Sequence, residues 1–122
     1  MTGGIGFAAA YILARRQRRW DAEDAAVKAR VALIQSVRIP LEIIRDEIRA
    51  NWGLYYTRDV EDTMTRAMRE AIYELRDEEL IRNLERAVPP LRELAGGTDR
   101  KASGEKCMPH IEAMLKRLAE LK

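Results

Sequence analysis

A chain of 122 residues, 47% apolar and 34% charged, has the length of one domain. It is too apolar for full disorder and too charged for several membrane spans. Its single cysteine, Cys107, excludes an intrachain disulfide framework and fits a reducing compartment. The net charge of +2 is segregated: residues 1–38 carry seven Arg/Lys against three acids, residues 39–95 nine against thirteen, and residues 96–122 six against four. The acidic middle argues against nucleic acid as a partner.

Residues 3–14 carry no charge, and Arg15, Arg16, Arg18 and Arg19 follow directly. No basic residue precedes the apolar stretch, so it does not read as a cleaved secretory signal. Thr2 stands where myristoylation needs Gly. As a helix the stretch reaches roughly 20 Å, short of a hydrocarbon core of about 30 Å. Snorkelling arginines and Trp20 as an interfacial aromatic extend it. Gly6, Ala10 and Ala14 recur every four residues, the small-residue spacing that lets helices approach closely in lipid, and Phe7 and Tyr11 flank that face. Gly4-Ile5-Gly6 with Ala9 matches a dinucleotide-binding pattern in form, but no strand precedes it.

From Trp20 onward apolar residues keep helical spacing: Trp20, Val27, Val31 and Ile34 form one stripe, with Ala22, Ala26, Ala29, Leu33 and Val37 beside it. Pro40 is expected to stop this helix and start a second, with the face Leu41, Ile44, Ile48 and Trp52 and a left-handed cap at Gly53. Thr57 or Asp59 opens a third helix with the stripe Val60, Met64, Ala67, Ala71 and Leu75, widened by Met68 and Ile72. The stripe changes phase near Asp77 and resumes at Leu80, Leu84, Ala87, Val88 and Leu91, so one drifting helix or two helices meet there. Pro89 and Pro90 are expected to end it. Residues 96–106 are small and polar and read as a flexible loop. A last helix is expected from near Pro109, with Ile111, Met114, Leu115, Leu118 and Leu121 inward.

The expected fold is therefore all-α: a small antiparallel helical bundle over residues 20–122, with an apolar, anchor-like N-terminal helix over 1–19 that protrudes from it. Cys107 and His110 have metal-ligand spacing, but a structural zinc site needs four ligands and the chain has one Cys and one His. The acidic run Glu70, Glu74, Asp77, Glu78, Glu79 reads as a solvated face. No metal, cofactor or catalytic residue is expected, and an enzyme is not. Trp52, Tyr55 and Tyr56 mark a helix corner that serves as core or as an interface.

The functional expectation is a small membrane-anchored, self-associating protein, acting as scaffold, regulator or pore-forming effector, with the bulk of the chain cytoplasmic. Its partners would be membrane lipid and further copies of itself. The alternative is a soluble cytoplasmic adaptor or assembly subunit that lays its apolar N-terminal helix on a partner protein.

Overall fold

The computed structural model describes residues 3–121, and side chains from Arg15 onward. Every regular element is a helix: α1 spans Gly3–Asn51, α2 Arg58–Leu75, α3 Glu78–Ala95 and α4 Arg100–Glu120. The chain divides into two compact units, Met1–Val31 and Ala32–Lys122.

The second unit has one apolar core. Ile34, Val37, Leu41, Ile44 and Ile48 enter it from α1, Met68 and Ile72 from α2, Leu80, Leu84, Leu91 and Leu94 from α3, and Ile111, Met114 and Leu118 from α4. Helix α3 packs on both α2 and α4. Leu84 and Ile111 illustrate the driving force: fully burying such a side chain is worth about 1.5–3 kcal/mol.

Three expected boundaries are overturned, all of them at prolines. Helix α1 runs through Pro40 without a break. Helix α3 carries Pro89 and Pro90 within it and ends only at Ala95. Helix α4 carries Pro109 within it and starts at Arg100, so the expected loop over 96–106 shrinks to residues 96–99. A helical proline deprives the carbonyl four residues earlier of its partner. Those carbonyls belong here to Ser36, Glu85, Arg86 and Glu105, and all four residues are exposed. These residues lie on the solvent side of their helices, while Val37, Leu41, Val88, Leu91, Cys107 and Ile111 hold the same helices down on the core.

The early start of α4 has a local cause. Asp99 caps it, accepting from the Ala102 amide at 3.3 Å, and the Ser103 hydroxyl donates to the Thr98 carbonyl at 3.0 Å. The small residues that resemble a loop are there for packing: a Cβ built on Gly104 would lie 3.0 Å from Ile48 Cγ2 and 3.5 Å from Trp52.

The remaining caps follow the sequence. Thr57 accepts from the Val60 amide and opens α2. Arg76, in the left-handed region, closes α2, and Asp77 opens α3 by accepting from the Leu80 amide, so two helices meet at the expected phase change. Helix α1 ends at Asn51, followed by two residues in the left-handed region: Trp52, with φ of +50°, and the expected Gly53, with φ of +72°. The inward face of α2 is rotated from the expected one. Glu61, Thr65, Met68, Ala71, Ile72 and Leu75 are buried, while Val60 and Ala67 are exposed.

Candidate interaction surfaces

In the first unit the helix offers one apolar stripe. Trp20 and Val27 are each 61% exposed and Val31 51%. The residues seven apart from Trp20 are Val27, Ile34, Leu41 and Ile48, and the last three are buried in the second unit. One heptad repeat thus has a core-facing part and a part open to solvent. Arg15, Arg16, Arg18 and Arg19 are all exposed, and Arg19 Nε lies 3.4 Å from Glu23. The expected lipid-facing residues Gly6, Phe7, Ala10, Tyr11 and Ala14 have side chains outside the described ones. Among the described residues, no helix is long and apolar enough to cross a membrane, so the spanning form of the anchor has no support.

The Trp52–Tyr55–Tyr56 corner splits in two. Tyr56 is 4% exposed and belongs to the core, whereas Trp52 and Tyr55 are 43% and 69% exposed. The Tyr55 amide donates to Glu47 Oε1 at 3.0 Å, which fixes the turn and points its ring outward from it. Beside Trp52 lies a cleft of about 340 Å³, lined by Ile48 and Arg49 of α1 and by Gly104, Glu105 and Met108 of α4. Arg49 crosses to Glu112 at 3.0 Å.

A polar cluster that the sequence reading missed lies under α2. Glu61 is 4% exposed and accepts from the Thr65 hydroxyl at 3.1 Å, and Arg92 Nε stands 3.9 Å away. Burial raises the Glu61 carboxyl above its ordinary range, and the Asp62 charge adds to this. The buried Tyr56 hydroxyl makes no hydrogen bond of good geometry; the Thr65 side chain beside it lowers its ionisation, but burial outweighs this and holds it well above the usual tyrosine value. Two clefts of about 310 and 270 Å³ flank Glu61, Asp62 and Arg92, and Arg58, Arg66 and Arg69 rim them. Their basic and acidic groups nearly balance, which gives no ligand a clear sign of charge to follow. The only periodic signal for the cluster is Glu61 and Thr65 in register with Met68, Ile72 and Leu75, a pattern that apolar counting discards.

Cys107 is buried, with its thiol pushed up to about 12 by desolvation, and His110 Nδ1 is 3.4 Å from Asn83 Oδ1. Among the described residues, no three His, Cys, Asp or Glu side chains come together as metal ligands. Comparison with known proteins adds no relative: no family model, curated protein or solved structure matches the chain.

Proposed function

We propose that this chain is a self-associating helical assembly subunit that docks the apolar part of its N-terminal helix on another helix, first of all that of a second copy. The observation that carries this reading is the exposed stripe Trp20, Val27 and Val31, in a unit whose described residues form one helix. A single helix gains little stability from itself in water, and amphipathic helices are held mainly by what they pack against. The pairs Asp77–Arg117 and Asn83–His110 support an antiparallel α3/α4 arrangement within a small bundle. One His and two Ser in the whole sequence support a non-catalytic role.

Light scattering on size-separated protein tests the proposal. The full chain should be larger than 14.0 kDa in solution, and the triple variant Trp20→Glu, Val27→Glu, Val31→Glu should be a monomer with unchanged helical circular dichroism. An unchanged assembly in that variant overturns it.

A second reading places residues 1–20 on an anionic membrane surface. The uncharged run 3–14, the four exposed arginines and the exposed Trp20 favour it. In lipid the Gly6, Ala10 and Ala14 spacing would bring copies together. Vesicle flotation separates the two readings: the surface reading expects binding to phosphatidylglycerol-containing vesicles that is lost with phosphatidylcholine alone.

A further inference from the structure

We infer that a second copy covers the Trp20–Val31 face of α1 as an antiparallel helix pair, with its two-fold axis between Trp20 and Asp21. This rests on the self-association reading and adds to it a surface, an orientation and a register. Charge complementarity selects the occupant. Arg15, Arg16, Arg18 and Arg19 make a block of four cations, and Asp21, Glu23 and Asp24 make a block of three anions immediately after it. All seven residues are exposed. Within one helix the two blocks barely satisfy each other. Arg19 reaches Glu23 at 3.4 Å, Asp24 is taken by Lys28 at 3.1 Å, and Asp21 accepts only from the Gln17 amide at 3.1 Å. Among the described residues Arg15, Arg16 and Arg18 have no ion-pair partner.

Two parallel copies in register would set arginine beside arginine and carboxylate beside carboxylate. Turning one copy round about a two-fold between residues 20 and 21 overlaps the end of each basic block with the acidic block of the other: Arg18 comes level with Glu23, and Gln17 and Trp20 with Asp24 and Asp21, while Arg19, Arg16 and Arg15 come level with Ala22, Ala25 and Ala26. The same operation makes the contact isologous and closed, as a two-fold interface must be. It also produces a symmetric apolar seam. The two Trp20 rings meet at the centre, with Val27 about 10 Å and Val31 about 16 Å out on either side. Large amphipathic aromatics at the centre of a patch, with charges around them, are the usual energetic anchors of an interface. The backbone is helical from Gly3 onward, so helix is present on both sides of the axis.

Site-specific cross-linking of the full chain tests orientation and register together. Asp21→Cys and Lys28→Cys lie seven residues apart, in one column of the helix. The unmodified chain, with its buried Cys107, is the control. In the antiparallel pair the two residues at position 21 stand nearly level, while the two at position 28 are separated by about 22 Å along the axis. Mild oxidation should therefore give a disulfide-linked dimer of Asp21→Cys at least tenfold faster than of Lys28→Cys. Raising salt from 0.1 to 1 M, which shortens the screening length from about 10 to about 3 Å, should slow it. Equal cross-linking at both positions overturns the inference. Cross-linking at neither, in a chain that light scattering shows to be dimeric, also overturns it but leaves self-association standing. A monomer at tens of micromolar removes both.

Discussion

Arg117 grips Asp77 with two nitrogens: Nη2 lies 2.8 Å from Oδ2, and Nε lies 3.1 and 3.2 Å from the two carboxylate oxygens. The same carboxylate caps α3 through the Leu80 amide at 3.0 Å. One side chain thus starts one helix and ties it to the end of another, forty residues away.

Asp77→Ala should lower stability by at least about 1 kcal/mol from the cap alone, with a smaller further loss from the broken fork, since Glu79 and Glu120 still pair with Arg117. Asp77→Asn keeps a capping oxygen and should lose less. The Arg117 guanidinium and its hydrogen bonds hold the Asp77 carboxyl below its ordinary value. A depressed carboxylate stabilises the fold above its unfolded value of about 3.9, and that stability is lost as pH falls through the folded value. Chemical denaturation from pH 6 down to pH 2 should show a shallower acid loss for Asp77→Asn. An identical slope would mean that the ion pair contributes nothing.

Glu61 titrates with the opposite sign. Its carboxyl is raised, chiefly by burial, so its contribution falls as pH climbs from about 4 through the folded value. Glu61→Gln still accepts from Thr65 and should melt higher than the native chain at pH 7 but not at pH 4. A lower melting point at pH 7 would show that Arg92 matters more to Glu61 than burial does.

Tyr56→Phe removes a buried hydroxyl that makes no hydrogen bond of good geometry, with only the Thr65 side chain beside it. Burying an unpaired polar group costs about 1–3 kcal/mol, so the variant should equal or exceed the native chain in stability. A loss greater than about 1 kcal/mol, measured by urea denaturation, would reveal a bond to this oxygen in solution.

Backbone freedom at Gly53 should matter more than its lack of surface suggests. Its φ is +72°, and a Cβ there would lie 2.8–2.9 Å from the Leu94 side chain. Gly53→Ala should cost about 1–2 kcal/mol from the left-handed conformation, with the clash added, and thermal melting should show it. In the core, Ile48→Asp and Leu84→Asp should unfold the second unit, since each residue is 1% exposed and a buried unpaired carboxylate costs several kcal/mol. Glu78→Ala, on an exposed position of α3, should be nearly silent.

Much of the fold was legible from apolar spacing. Leu41, Ile44, Ile48, Leu80, Leu84 and Ile111 are buried where their periodicity puts them, and the caps at Gly53 and Thr57 stand where the residue types put them. The reading failed where a residue's local preference opposed its tertiary surroundings. Pro40, Pro89, Pro90 and Pro109 break helices in isolation, yet here the residues whose carbonyls lose a partner are exposed and the flanking residues are anchored in the core. Gly104 and Ser103 read as loop because they are small, and they are small because α4 must pass close to Ile48 and Trp52. Of the interaction residues, Tyr56 and Trp52 share a sequence neighbourhood but not an environment. Four residues of separation cannot predict which aromatic turns inward after a left-handed turn. The Asp77–Arg117 fork was invisible because no local pattern joins residues forty apart.

The placement of the two tryptophans gives the chain a pair of independent optical reporters. Trp20 stands open to water in the first unit, and Trp52 leans on Gly104 in the second. Indole emission moves to shorter wavelength when water leaves the ring. With Trp52→Phe the remaining signal follows Trp20, and dilution of an assembled sample should shift it to the red. With Trp20→Phe the signal follows the α1–α4 contact, and the same dilution should leave it still. One molecule therefore reports association and folding on separate channels without any added label.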